Sequence, residues 1–168
     1  MAERSFITFY IGENLFGIDI LYVREIIKNF EITTVHRAPE HTAGLLDVRG
    51  QIITIMNLKT RMAINIEKPP DSHNCIIIKS TFELEKNNLL SNEFISNTSE
   101  ESTGLLVNRI GDVVSINSHD ILSIEESDTT DSHDAKFNDG IVSLENAILV
   151  TLNLPKILST KKEISATI

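Results

Sequence analysis

Residues 44–58 read GLLDVRGQIITIMNL, in which a charged DVRG motif lies between two apolar runs. The motif predicts a tight turn, because Gly50 permits a backbone conformation that other residues resist. Apolar strands flank this turn, so we expect the turn to be rigid and the side chain of Arg49 to project from it, away from the hydrophobic layer. An arginine in this setting is typical of protein interfaces. A simple ion pair with Asp47 or another nearby acid would explain it equally well.

The rest of the chain repeats this alternation of short apolar runs and turns. Residues 5–11, the turn GEN and the run LFGIDI form a hairpin signature. Asn57 and Asn153 each predict the start of a short helix, the second with a proline in its first turn. Many short strands favour a barrel or sandwich over a doubly wound fold. Further strands are predicted at residues 23–27, 51–56, 75–79, 104–107, 112–116, 140–144 and 147–152.

The chain also contains a weak internal repeat. The block FGIDILYVREII, which begins at Phe16, aligns without gaps with TGLLVNRIGDVV, which begins at Thr103. A second block, IITIMNLKTRM from Ile52, aligns with ILVTLNLPKIL from Ile148. Any two β-rich stretches can share such spacing by chance. The order of the blocks is the same in both halves, which favours two similar small barrels with a common core.

The composition is that of a globular protein with an acidic balance. The chain has 168 residues, of which 41% are hydrophobic, and a formal net charge of −9. Its lysines and arginines are scattered, so we expect neither a nucleic-acid partner nor insertion into a membrane. The N-terminal segment lacks the apolar region of a signal peptide, and no apolar run is long enough to span a bilayer. These features predict a cytoplasmic protein.

One segment interrupts the β pattern. Residues 80–102 are polar, acidic and rich in Asn and Ser, which predicts a long, disordered insertion in a hairpin loop. Residues 125–139 form a second acidic loop by the same reasoning. Residues 1–168 are therefore expected to form one domain, over about residues 5–160, with this insertion and a short C-terminal tail.

No constellation of residues points to catalysis. The five histidines show no metal-ligand spacing and are expected at the surface. Nucleophile elbows, phosphate-binding loops and dinucleotide fingerprints are absent from the sequence. Cys75 is the single cysteine, so no disulfide can form within the chain, and its apolar strand context predicts an inert thiol. We therefore expect no enzymatic activity, no metal and no cofactor, which leaves binding as the function.

The stretches FGIDILYVREII and APEHTAGLLDVRGQIITIMNL resemble the CheW family of chemotaxis coupling proteins. In that family a YGIDI…V.EI segment is followed by P..I.G..NLRG.I.P..DL. The resemblance continues through CIIIK, TGLLVNRIGDVVSI and AILVTLNLPKIL, so it covers about residues 6–158. It implies a mainly β fold of two SH3-like, five-stranded β-barrel subdomains that share a core, with short helices and no enzymatic activity.

The resemblance also implies partners and a location. Family members bridge the cytoplasmic tips of chemoreceptors to the regulatory domain of the histidine kinase CheA, in arrays on the inner face of the membrane. Arg49 matches the arginine of the NLRG turn, and the other positions match the family's receptor and array contacts or a hydrophobic pair in its second half. The implied partner-binding residues are Val23, Glu25, Gly44, Arg49, Ile76 and Ile77.

The sequence departs from the family pattern in places that leave alternatives open. Asp47, Thr54 and Asn108 stand where Asn, Pro and Asp are common, and residues 80–102 replace a tight hairpin. These departures fit a coupling protein of a type IV pilus pathway as well as one that controls flagella. A small β-barrel nucleic-acid-binding module is an alternative from another class. The absence of tryptophan, with only two tyrosines, argues against it.

Overall fold

The computed structural model describes residues 2–65, 73–86, 102–124 and 136–159. In these ranges the α-helices are α1 (Leu58–Arg61), α2 (Thr81–Lys86) and α3 (Leu154–Leu158), and 3-10 turns occur at Ile20–Tyr22 and Ser118–Asp120. The strands are β1 (Glu3–Ile11), β2 (Asn14–Asp19), β3 (Val23–Ile27), β4 (Thr42–Val48), β5 (Gln51–Asn57), β6 (Asn74–Ile78), β7 (Thr103–Val107), β8 (Arg109–Asn117), β9 (Leu122–Ser123), β10 (Asn138–Ser143) and β11 (Ile148–Leu152).

The predicted strands and helix starts are confirmed. Strand β3 has the bounds that the apolar pattern predicts, and the others agree within a few residues. The Asn57 side chain accepts a hydrogen bond from the Thr60 N–H, and the Asn153 side chain accepts one from the Lys156 N–H. Both asparagines therefore cap their helices as the sequence predicts. Strand β9 was not predicted, because two exposed residues give no periodic signal.

The strands form two sheets, one of six strands and one of five, with an equivalent parallel pair in each. One sheet runs β8-β1-β2-β11-β10-β9 and the other runs β3-β6-β7-β5-β4. Each sheet contains one parallel pair, and the pairs have equivalent registers. Phe16 lies opposite Val150 in the first sheet, and Thr103 lies opposite Thr54 in the second. The two blocks of the sequence repeat place the same residues opposite each other, so the repeat is structural rather than a chance similarity.

The buried side chains form one shared core and two local ones. The largest cluster combines Phe9 and Ile18 of the first sheet with Ile76 and Leu105 of the second. Two smaller clusters each lie within a single sheet. The predicted fold class, mainly β with two SH3-like subdomains that share a core and short helices, is therefore confirmed, although the first sheet has six strands where five were predicted. The paired strands leave both sheets open rather than closed into complete barrels.

Helices α1 and α3 join the two halves through one side chain. Arg61 in α1 donates to the carbonyl oxygens of Ile157 (2.9 Å), Lys156 (3.3 Å) and Ser159 (3.2 Å) at the end of α3. The Lys156 carbonyl also accepts from the Ser159 N–H (3.4 Å), and a positive charge suits this C-terminal end of the helix dipole. The guanidinium thereby ties the C-terminal helix to the first half of the chain.

The start of the predicted insertion is helical. Ser80 and Glu83 form a capping box: the Ser80 hydroxyl accepts from the Glu83 N–H (3.3 Å), and the Glu83 carboxylate accepts from the Ser80 N–H (3.1 Å). Leu84 of the resulting helix α2 is fully buried. Residues 87–101 of the insertion, residues 125–135 of the second acidic loop and the tail at 160–168 lie outside the described residues.

Cys75 packs in the interior of the second sheet, as its strand context predicts. Its side chain is fully buried, and burial raises the pKa of the thiol to about 12. At pH 8 the thiolate is therefore on the order of one part in ten thousand, and the thiolate is the reactive form. We expect the native protein to resist Ellman's reagent until denaturant is added, as followed by absorbance. Stoichiometric labelling of the native protein within the mixing time would contradict this packing.

Candidate functional site

The turn between β4 and β5 presents Arg49 to solvent. Arg49 and Gly50 both have positive φ angles, 52° and 87°, which is the backbone pattern of a type I′ hairpin turn. The Gly50 N–H donates to the Asp47 carboxylate at 2.9 Å and stabilises this turn. The side chain of Arg49 is 73% exposed. The turn predicted from the DVRG motif is therefore present, with its arginine projecting outward.

Glu25, rather than Asp47, is the partner of Arg49. Nη2 of Arg49 donates a charge-assisted hydrogen bond to Oε1 of Glu25 on strand β3. This contact brings together two of the residues that the family resemblance implies, although 24 positions separate them in the chain. An ion pair at this degree of exposure contributes under about 1 kcal/mol to folding. The pair therefore does little for stability and is available for another role.

Arg24 also donates to the carboxylate of Glu25, at the same oxygen atom as Arg49. Its Nε and Nη2 donate to Oε1 of Glu25 at 3.3 and 3.2 Å, and its Nη1 donates to the side chain of Gln51 at 3.0 Å. Only 21% of the Arg24 side chain is exposed, so this arginine is much less free than Arg49. Sequence reasoning missed Arg24, because its contacts depend on how β3 pairs with its neighbour.

A β-bulge in β3 determines which way these side chains point. Val23 lies opposite Ile78 and Glu25 lies opposite Ile77, so Arg24 is the extra residue in the strand. From sequence, Val23 and Glu25 are two apart on one predicted strand, and strict alternation predicts that they share a face. That prediction is wrong because a bulge interrupts the alternation. Val23 packs against the shared core, whereas Glu25 lines a surface groove.

Gly44 lies in β4 where another segment crosses the strand closely. The Thr33 N–H donates to the Leu45 carbonyl and the Leu45 N–H donates to the Thr33 carbonyl, both at 2.8 Å. A Cβ atom on Gly44 would lie 2.3 Å from the Thr33 carbonyl oxygen and 2.4 Å from Ile32 Cγ2. Gly44 is buried, so its place in the site is to let the 32–33 segment lie against the sheet.

Ile76 and Ile77 lie in the core rather than on a surface. Both side chains are fully buried in β6, Ile76 in the shared cluster and Ile77 in the cluster of the second sheet. The expectation that they touch a partner is therefore corrected: a partner cannot reach them while the core stays closed. Because β6 pairs with β3, Ile76 and Ile77 support the strand that contains Glu25.

A surface groove of about 520 Å³ adjoins the Glu25–Arg49 pair. Sequence reasoning did not find this groove, because the irregular segment after β3 contributes much of its wall and carries no periodic signal. The groove combines acidic and apolar side chains with the arginine at one edge. Its lining includes Glu25, Ile27, Phe30, Glu31, Leu46, Asp47, Val48 and Arg49.

The described residues show surface for binding rather than a cluster for metal chemistry. Within them, no group of three or more His, Cys, Asp or Glu side chains is placed to hold a metal ion. His36, His73 and His119 are exposed and His41 is half-buried, while His133 lies outside the described residues. In the same part of the chain, no helix is both long and apolar enough to cross a bilayer.

The family model for the CheW-like domain matches residues 5–162. The chain belongs to the CheW-like family. Among curated relatives, "Chemotaxis protein CheW" of Treponema pallidum (strain Nichols) is 28% identical over 160 residues, covering 95% of this chain and 85% of that protein. "Chemotaxis protein CheW" of Rhizobium meliloti (strain 1021) is 22% identical over 163 residues, covering 97% of this chain and 92% of that protein.

A solved structure of a CheW-like protein has the same fold. The crystal structure of the scaffolding protein TtCheW from Thermoanaerobacter tengcongensis superposes with a TM-score of 0.73 at 23% sequence identity. The match covers 93% of this chain and 92% of that one. The arrangement of two open sheets around a common core is therefore the CheW-like arrangement, and the groove and the Glu25–Arg49 pair lie on the second sheet of this fold.

Proposed function

We propose that this CheW-like protein is a non-catalytic adaptor that couples methyl-accepting chemoreceptors to a CheA-type histidine kinase. Family membership supports the proposal, and the curated relatives are named as chemotaxis proteins. The structural relative is described as a scaffolding protein. The partners are the receptor's cytoplasmic tip and the kinase's regulatory domain, and the complex would form at arrays on the inner face of the membrane.

The observation that carries the proposal is an exposed arginine held in place beside a groove. Arg49 is 73% exposed, yet its guanidinium is fixed to Glu25 from a turn of defined geometry. A free arginine side chain loses rotamer entropy when it binds, and one that is already oriented loses less. The pair is therefore suited to meet a partner at low entropic cost.

The pair offers a partner both hydrogen-bond donors and an acceptor. Arg49 uses Nη2 for Glu25, and a guanidinium carries five N–H groups in all. Every donor to the Glu25 carboxylate from the described residues reaches Oε1, which leaves Oε2 without such a donor. A carboxylate on the partner can pair with the remaining face of Arg49, and a partner donor can reach Oε2.

The remaining family-implied residues act behind this surface. Gly44 admits the 32–33 segment that leads into the groove wall, and Ile76 and Ile77 support β3 from the core. Val23 packs against the shared core next to the bulge. We propose that these four residues maintain the shape of the binding surface, while Glu25 and Arg49 make the direct contacts.

The experiment is reconstitution of the ternary complex from purified components. We expect this chain to bind the regulatory domain of a CheA-type kinase in the micromolar range, about −8 kcal/mol, as suits one interface of standard size in a transient assembly. It should also join the kinase to receptor fragments that carry the cytoplasmic tip, as measured by co-sedimentation.

Two outcomes would contradict the adaptor. One is the absence of binding to both partners, tested with kinase and receptor from a flagellar pathway and from a pilus pathway. The other is ATP hydrolysis or phosphoryl transfer by the purified chain alone. A nucleic-acid control should show no binding at physiological salt, since the phosphate backbone is negatively charged and the net charge of the chain is −9.

A further inference from the structure

Arg24 contacts both ends of the segment that joins β6 to β7. Its Nη1 lies 4.0 Å from the carboxylate of Glu83, which lies in helix α2 near the start of this segment. The same nitrogen donates to the Ser102 hydroxyl at 3.4 Å, and Ser102 directly precedes β7. The bulge in β3 brings Arg24 to this position, because the extra residue of a bulge is released from regular pairing and can be re-aimed.

The two ends of the segment are themselves well fixed. Oε1 of Glu83 accepts from the Ser80 N–H and from the Ser80 hydroxyl, both at 3.1 Å. Leu84 in the next position is fully buried, so packing fixes α2 in addition to its cap. At the other end, Ser102 is 2% exposed. A displacement of α2 would therefore move Glu83 relative to Arg24.

The remaining donors of Arg24 reach the candidate binding surface. Nε and Nη2 both donate to Oε1 of Glu25, the oxygen that also accepts from Arg49. One planar guanidinium thus connects the segment to the ion pair, with its donors divided between the two sides. A lysine ammonium could not divide its donors in this way, because it is a point charge without a planar fork.

We propose that Arg24 is a positioning residue that couples both ends of the β6–β7 segment to the Glu25–Arg49 pair. This inference rests on the proposed function, in which that pair contacts a partner. Nη1 of Arg24 faces Ser102 and Glu83 of the segment and also donates to Gln51 of β5 at 3.0 Å. The other donors of the guanidinium hold the Glu25 carboxylate that orients Arg49. The placement of α2 thereby adjusts how the binding surface is presented.

The first test is a double-mutant cycle in kinase binding. Arg24→Gln should weaken binding by about tenfold, which is within the coupling range of residues in one network. In an Arg49→Ala background the same change should cost clearly less than tenfold, because Arg24 then positions only the Glu25 contact. Glu83→Gln should weaken binding by about threefold, and Arg24→Lys should fall between Arg24→Gln and the unchanged chain.

The matched control is Arg4→Gln. Arg4 also pairs with an acid, Asp19, and lies on β1 in the other sheet, so its loss should leave binding unchanged. Equal losses from Arg24→Gln with and without Arg49 would overturn the coupling, and so would binding unaffected by Arg24→Gln. If Arg24→Gln loses cooperative unfolding, Arg24→Lys takes its place in the double-mutant cycle, because lysine keeps the positive charge.

The second test needs no partner and separates this inference from the proposed function. In the isolated ¹⁵N-labelled chain, the fixed guanidinium of Arg49 should give resolved Nη signals in the cold, because its hydrogen bond slows rotation about the Nε–Cζ bond. In Arg24→Gln these signals should average, as they do for a mobile arginine. If they are identical in both proteins, Arg24 does not position the pair. Failure of the unchanged chain to bind either partner would instead contradict the proposed function alone.

Discussion

Replacing Gly44 with alanine should lower the free energy of unfolding by about 3 kcal/mol, which combines overpacking with backbone strain. The added methyl would lie 2.3 Å from the Thr33 carbonyl oxygen, a backbone atom that cannot rotate away. Gly44 also has a φ of 151°, a conformation that side chains disfavour. The paired hydrogen bonds between Thr33 and Leu45 would have to stretch or break.

Chemical denaturation and calorimetry measure this effect, and Gly50→Ala is the matched control. Gly50 also has a positive φ, 87°, yet nothing lies within 4 Å of its added methyl. Its cost should be the strain of a left-handed residue, about 1 kcal/mol. For a chain of this length, 3 kcal/mol corresponds to a fall of roughly 10 °C in Tm. Equal losses of unfolding free energy in Gly44→Ala and Gly50→Ala would contradict the close approach of residues 32–33 to Gly44.

The features that the sequence predicted correctly are local or repeated. The caps Asn57 and Asn153 depend on their own helix turns, and the strands depend on runs of a few residues. The repeat extends this to topology, because the alignment of Phe16 with Thr103 predicts the equivalent positions in the two sheets. Local chemistry and internal similarity therefore predicted a barrel or sandwich with a repeated unit, and the family resemblance specified two SH3-like subdomains.

Most features that the sequence did not predict depend on pairing between distant segments. One depends on a short motif inside a segment of polar, acidic composition. The bulge at Arg24 exists only in the pairing of β3 with β6, so regular alternation gave the wrong side for Val23. The burial of Ile76 and Ile77 follows from the interior place of β6, which lies between β3 and β7 in its sheet. The polar, acidic composition of residues 80–102 as a whole does not indicate helix α2, although Ser80 and Glu83 have capping-box spacing.

The candidate site was predicted in part. The resemblance implies both Arg49 and Glu25, and the structure brings them into contact. The sequence allows either Asp47 or another acid as the partner of Arg49, because a sequence does not show which strand lies beside a turn. Phe30 and Glu31 of the groove come from an irregular segment, where no pattern marks a functional side chain.

Replacing Arg49 with alanine should weaken assembly with receptor and kinase by about 2 kcal/mol, roughly thirtyfold, the magnitude of an interface hot spot. Stability should change by less than about 1 kcal/mol, because the pair with Glu25 is exposed. Glu25 would also keep its hydrogen bonds from Arg24, so the substitution leaves no carboxylate without a donor. Arg49→Ala should therefore weaken assembly much more than it lowers the free energy of unfolding.

Two further variants identify what Arg49 contributes. Arg49→Lys should recover only part of the binding, since an ammonium cannot form two parallel hydrogen bonds to one carboxylate. Arg37→Ala is the control, because Arg37 is likewise an exposed arginine with a positive φ, 61° against 52° for Arg49. Its loss should leave assembly unchanged, which excludes a general effect of removing one positive charge from an acidic protein.

The comparison of binding with unfolding decides the role of Arg49. A partner anchor predicts weak assembly by a protein that still unfolds cooperatively near the original Tm. A structural arginine predicts that Arg49→Ala loses assembly only in proportion to its loss of folded protein. Normal assembly by Arg49→Ala would show that the Glu25–Arg49 pair is only a solvated ion pair at the rim of the groove, since such pairs cost under about 1 kcal/mol to remove. The type I′ turn would remain, because Gly50 and Asp47 maintain it without the arginine side chain.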